Sequence, residues 1–148
     1  MIESIHLDVA GTWLEIDLPL PPRELSPNFR STTHHAKASA TRKYRRLVAQ
    51  IATIARLESK LSPPPPWAAA IIRVRHYRRD NRSVQDRDNI LASLKSAFDG
   101  LTDAMVLNDD RDVTFLPVER LIDRQHPRVE LSVAPGAIVV VETEASDQ

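Results

Sequence analysis

Two aspartates one residue apart, in Gln85-Asp86-Arg87-Asp88-Asn89, are the residues of this chain whose spacing points most directly to chemistry. In an extended segment, side chains two apart share a face, so Asp86 and Asp88 reach one ion together. Two carboxylates held that close repel each other unless a cation sits between them, and hard cations such as Mg²⁺ take oxygen ligands of this kind. Asn108-Asp109-Asp110 supplies a third carboxylate, provided that a helix leaving Asp88 and a strand returning after Asp110 bring both ends of the unit into one sheet. Lys95 follows Asp88 by seven residues. On a helix it returns to within about 20° of the same face, roughly 10 Å farther along. There it would stabilise developing negative charge or a leaving oxygen in phosphoryl chemistry. Each motif also has an ordinary structural role: Asp caps helix N-termini, Asn-Asp-Asp is turn chemistry, and Lys95 pairs loosely with Asp99 across a helix face. A calcium loop over Asn108, Asp110 and Asp112 is excluded, because Val113 holds the place where such a loop needs glycine.

Charge is distributed to match. The 148 residues carry 20 Lys+Arg and 20 Asp+Glu, a formal net charge of zero, which conceals a strong polarity along the chain. Residues 1–22 hold four acids and no Lys or Arg; residues 23–82 hold fourteen basic residues against three acidic; residues 83–148 hold six against thirteen. The basic segment suits phosphates, and Arg42, Lys43, Arg45 and Arg46 fall in the first two turns of the first expected helix, where the dipole already favours anions. Arg73, Arg75, Arg79 and Arg82 continue that character up to the acidic pair, and Asn28 and Arg30 close a polar segment fit to face a ligand. Internal pairing with the acidic segment is the alternative use for any one arginine. With no cysteine there is no disulfide, thiolate metal site or cysteine nucleophile. No apolar run is long enough to span a bilayer and no basic, apolar leader opens the chain, so a cytoplasmic location without membrane association is expected. Ser31, Thr32 and Thr33 lack a triad context, and His34, His35 and His76 read as surface or core histidines.

The elements that must position these residues follow from periodicity. Residues 4–9 and 13–18 read as strands joined by a turn at Gly11-Thr12, and a Pro-rich connection follows. Ser39 to Leu61 has helical spacing with Ser39 as N-cap, and Pro63 to Pro66 reads as a stiff extended linker. Residues 69–78 alternate, with Ile72, Val74 and His76 on one face and Arg73, Arg75 and Tyr77 on the other. Asp88 to Met105 reads as a second helix with a stripe of Leu91, Leu94, Phe98, Leu101 and Met105, in which Gly100 marks a close packing contact. Strands are expected at 113–121 and 128–133, with Ala137 to Val141 as an added edge strand. The fold class is α+β: one small domain, a mixed or antiparallel sheet and two main helices.

Taken in order, Leu18-Pro19-Leu20-Pro21-Pro22, Asn28, Asp86-Arg87-Asp88-Asn89, Lys95-Ser96-Ala97-Phe98-Asp99-Gly100-Leu101 and Asp109-Asp110 resemble the RusA-type Holliday junction resolvases, over roughly residues 14–133. The resemblance implies a nuclease domain at 14–134, flanked by an extension or hairpin strand at 1–13 and a C-terminal extension at 135–148. It also implies a homodimer that nicks a four-way DNA junction at two symmetric places, dependent on Mg²⁺ or Mn²⁺. The aspartates matching Asp86, Asp88 and Asp110 would bind metal, and a helix lysine would be essential. The family's lysine falls four residues after the second aspartate, where this chain has Ala92, so matching Lys95 needs a three-residue shift. A non-catalytic DNA-binding protein of the same fold is the alternative.

Overall fold

The computed structural model describes residues 2–7, 13–30, 34–82, 86–109, 111–136 and 138–142, with backbone alone for 2–7 and 138–142. Its elements, in order, are β1 (Ile2–Leu7), β2 (Leu14–Leu18), a single 3₁₀ turn (Arg23–Leu25), α1 (His34–Glu58), β3 (Ala70–Arg78), α2 (Arg87–Ser93), α3 (Lys95–Asp103), β4 (Val113–Phe115), β5 (Glu119–Ile122), β6 (Arg128–Pro135) and β7 (Ile138–Glu142).

Alternation along β3 sets the architecture. β3 pairs antiparallel with β6, β6 pairs antiparallel with β2, and β4 and β5 lie end to end, parallel, on the other side of β3. A parallel neighbour requires a crossover, and α2 with α3 provides it. The register aligns Leu14, Val133 and Ile72 in one row, Ile16, Leu131 and Val74 in the next, and Leu18, Val129 and His76 in a third. All nine are buried, and α1 and α3 contribute Val48, Ala52, Ala97 and Leu101 to the same core. Beyond the buried Ile71 and Ala134, the opposite face is polar, as is common for antiparallel strands. There Ser132 Oγ donates to Glu15 Oε2 at 2.6 Å, and the Arg128 guanidinium lies 3.9 Å from the centre of the Tyr77 ring.

Several expectations are corrected. β1 does not form a hairpin with β2. It pairs antiparallel with β7 in a separate two-stranded sheet, so the segment at 137–141 is not an edge of the main sheet; Gly11 and Thr12 lie outside the described residues. α1 begins at His34, with Ser39 inside it, and ends at Glu58. Residues 34–38 are exposed and so lack the apolar period that marks a helix start in sequence. The Pro63–Pro66 run is no free rod: Trp67 Nε1 donates to the Pro63 carbonyl at 3.1 Å, and the Trp67 N–H to the Val106 carbonyl at 3.0 Å. The strand expected at 113–121 breaks in two around Pro117, which has no N–H for a ladder.

The second helix also breaks. Leu94 adopts φ −100°, ψ 6°, and its N–H reaches back three residues to the Leu91 carbonyl, tightening the turn between α2 and α3. Its far end is a Schellman closure: Met105 N–H to Thr102 O and Val106 N–H to Leu101 O, with Met105 at φ 62°. Met105 is therefore exposed, and Val106 takes the core place that the stripe gave to Met105. Gly100 meets α1 as expected. A Cβ there would lie 2.8 Å from the Arg45 carbonyl oxygen and 3.1 Å from Val48.

Candidate active site

Asp86 is the N-cap of α2, with extended backbone, and its Oδ1 accepts the Asn89 N–H at 2.8 Å. Asp88 lies in the first helical turn. Both residues therefore stand at the N-terminus of one helix and not on one face of a strand. Both are exposed, and among the described residues Asp86 Oδ2 has no hydrogen-bond partner. Between them, Arg87 Nε donates to the Val118 carbonyl at 3.0 Å, which ties the start of α2 to the break between β4 and β5.

Asp109 precedes β4, whose entry is fixed where Ala70 N–H donates to the Asp112 carbonyl at 3.1 Å. Asp110 lies outside the described residues. Both acidic segments therefore border the sheet edge made by β4 and β5. Among the described residues no three His, Asp or Glu come close enough to share a metal ion. The available donors are hard carboxylate oxygens, which fit Mg²⁺ or Mn²⁺ and not a soft metal.

Lys95 is the first residue of α3 and is exposed. With Ala92 and Asp99 it lines a groove against Lys37 and Thr41 of α1, and Asp88, across the break at Leu94, is not among the described residues that line it. On its other side Lys95 and Asp99 line a small cavity of about 130 Å³ with Leu107, Val113 and Phe115, at the start of β4. The lysine thereby stands between α1 and the strand that follows Asp110.

The cations separate into two groups. Arg45 makes a two-pronged contact with Asp103, at 2.7 and 2.9 Å, fastening α1 to α3. Arg75 reaches Glu119 at 2.9 Å and Glu130 at 3.8 Å, and Arg73 lies 4.8 Å from the Trp13 ring centre. Asn28, Arg30, Arg42, Lys43, Arg46, Arg79 and Arg82 are exposed, and those six cations form no ion pair among the described residues. Because α1 starts at His34, Arg42 is its ninth residue, beyond the first turn where the dipole acts; the α1 cations are presented by exposure alone. Arg79 and Arg82 share an open hollow of about 410 Å³ with Asp80 and Arg124. Arg124 had no sequence signal, being one arginine in a polar turn.

His76 ends the apolar row on β3 and lines a cavity of about 240 Å³ beside Pro21, Pro22, Arg78, Arg79 and Ser93. Burial, and then the Arg78 charge, hold its imidazole below the usual histidine value. Folding therefore favours the neutral ring, and its contribution to stability is present above about pH 6.5 and lost as pH falls through the lowered folded-state value. Urea midpoints should decline from pH 7 to pH 5, and His76→Gln should make that decline shallower. An unchanged slope would remove His76 as its source.

No helix among the described residues is long and apolar enough to cross a membrane. A search of curated proteins finds no match to the chain. The profile of the family described as Endodeoxyribonuclease RusA matches residues 19–134, from the Pro-rich connection through the acidic segments to the end of β6. The chain belongs to the RusA endodeoxyribonuclease family, and its described residues form a small α+β domain with a mixed five-stranded sheet, a two-stranded sheet and three α-helices.

Proposed function

We propose that this protein is a metal-dependent, structure-selective endonuclease that resolves four-way DNA junctions by paired symmetric nicks. The observation that carries this reading is the exposed Asp86–Asp88 pair at the N-terminus of α2, within a chain of the RusA endodeoxyribonuclease family. Asp86, Asp88 and Asp110 are the residues proposed to hold Mg²⁺ or Mn²⁺. The chemistry that a divalent ion supplies when bound is activation of water and stabilisation of a leaving oxygen. The chain's own groups do the rest. Asp86 keeps one oxygen on the Asn89 N–H, which fixes its orientation, and offers the other. Lys95 is proposed to stabilise charge on the reacting phosphate. Arg42, Lys43, Arg46, Arg79 and Arg82 draw in the DNA backbone, with Asn28 and Arg30 at the margin. Arg45, Arg73 and Arg75 complete the proposed DNA-facing set, although their present partners are Asp103, Trp13, Glu119 and Glu130.

A homodimer suits the task, because two equal sites about a two-fold axis match the symmetry of a four-way junction. Ile54 and Leu57, which are 57% and 69% exposed on α1, leave apolar surface available to a second copy. A junction labelled on each strand in turn tests the reading. Cuts are expected in two strands of like polarity at symmetric positions, and an unbranched duplex of the same sequence should stay intact. Equal cutting of both substrates would refute structure selectivity.

A further inference from the structure

We propose that the hollow formed by Arg79, Arg82 and Arg124 binds backbone phosphate of the DNA strand that runs to the acidic pair, with Arg124 as a phosphate-positioning residue. The proposal takes its ligand from the DNA-cutting reading above and adds the place where the strand is held. Some arginines of this domain have carboxylate partners, Arg45 with Asp103, Arg75 with Glu119, Arg111 with Asp109, and Arg128 with Asp123 and Glu130, whereas Arg30, Arg42 and Arg46 are exposed without one among the described residues. Among the described residues Arg79, Arg82 and Arg124 have none, yet they line one hollow of about 410 Å³ in which Asp80 is the only acid. Three arginines lining one space with a single acid leave an excess of positive charge there, and the planar donor forks of arginine match phosphate oxygens.

Two fastened turns build the hollow. In the first, Arg78 Nη2 donates to Asn81 Oδ1 at 3.0 Å, and Asp80 Oδ1 accepts the Arg82 N–H at 3.0 Å. Asp80 thus spends that oxygen on backbone and leaves the guanidinium groups unpaired. In the second, Asp123 Oδ1 accepts the Gln125 and His126 N–H groups, each at 3.1 Å, and Asp123 Oδ2 accepts from Arg128 Nη1 at 2.8 Å. The Asp123 N–H donates to the Arg78 carbonyl at 2.8 Å, locking the second turn against the end of β3 and bringing Arg124 beside Arg79. The backbone of all three arginines is therefore set before a ligand arrives, which lowers the ordering cost of binding. Arg82 stands four residues before Asp86. An extended chain of that length spans at most about 14 Å, so a phosphate in the hollow lies within a few nucleotides of the acidic pair.

Fluorescence anisotropy of the full chain on a four-way junction in chelator, across a salt series, tests the proposal. Arg124→Gln should weaken binding about three- to tenfold and reduce the slope of log affinity against log salt by about 1, with Arg82→Gln behaving alike. Lys60→Gln, an exposed cation beyond α1, should bind as wild type does. In parallel, inorganic phosphate should raise the thermal midpoint of the wild type more than that of Arg124→Gln. Arg124→Gln and Arg82→Gln indistinguishable from wild type in both arms would overturn the hollow while leaving the nuclease reading intact. Phosphate stabilisation lost in Arg124→Gln, with a wild type that neither binds nor cuts junctions, would overturn the assignment to a DNA strand and the nuclease reading together.

Discussion

Asp88→Asn should lose junction cutting by more than about 100-fold, since even residues that only support a metal ligand cost 10- to 100-fold when replaced, while junction binding persists. Its thermal midpoint should change little, because Asp88 is exposed and contributes only about 0.3–1 kcal/mol through the helix dipole. Asp86 allows a sharper separation of roles. Asn caps a helix as well as Asp does, whereas Ala forfeits the cap at a cost of about 1 kcal/mol. Asp86→Asn should therefore retain stability and lose cutting, and Asp86→Ala should lose both. If Asp86→Asn cuts like wild type, the carboxylate is a helix cap and nothing more. Single-turnover cleavage beside urea denaturation of the three variants decides this.

Gly100→Ala should destabilise the domain, against the usual gain of up to about 1 kcal/mol when alanine replaces a helical glycine. The added methyl would lie 2.8 Å from the Arg45 carbonyl oxygen, on the backbone of α1, and 3.1 Å from Val48, which is fully buried. Neither neighbour is the free end of a flexible side chain, so α1 and α3 must move apart. Overpacking of this kind costs about 1–3 kcal/mol, enough to outweigh the propensity gain and lower the thermal midpoint by several degrees at about 2–4 °C per kcal/mol. Gly100→Val should cost more. A higher midpoint for Gly100→Ala would show that the helices are not in close contact here. Because Arg45 and Asp103 fasten the same two helices, that pair alone would not restore the packing; exposed ion pairs contribute at most about 1 kcal/mol.

What could be read from sequence was whatever a local period records. The two faces of β3 were legible because burial alternates along it, and Gly100 announced its contact because a glycine in a helix needs a reason. The break at Leu94 was not legible: Leu91, Leu94, Phe98 and Leu101 keep their spacing through it. Met105 continued that period but sits outside the core, because a left-handed residue ends α3 there and turns Val106 inward. The pairing of β1 with β7 depends on residues more than a hundred positions apart, and no local pattern reports it.

The site divides in the same way. The residue types at Asp86, Asp88, Asp110 and Lys95 were evident, but Asp86 is a helix cap with Asp88 in the first turn, not two residues of one strand face, and Asp110 lies outside the described residues. Which arginines are engaged and which are exposed is decided by cross-strand register: Arg75 opposite Glu130 and beside Glu119 is matched internally, while Arg79, one residue past β3, is not. The polarity hidden in a net charge of zero is thus only partly available to the proposed DNA-binding surface; part of it holds the sheet and helices together.

The proposed reaction is the cutting of branched DNA with a divalent ion. Its most direct test is cleavage of a labelled four-way junction by the wild-type chain across a Mg²⁺ series and in chelator, with binding followed in the same samples. Paired nicks that rise with Mg²⁺ and vanish in chelator, while binding remains, are the predicted result. Tight junction binding without cutting at any Mg²⁺ or Mn²⁺ concentration would contradict it and leave a DNA-binding protein that retains the fold without the reaction.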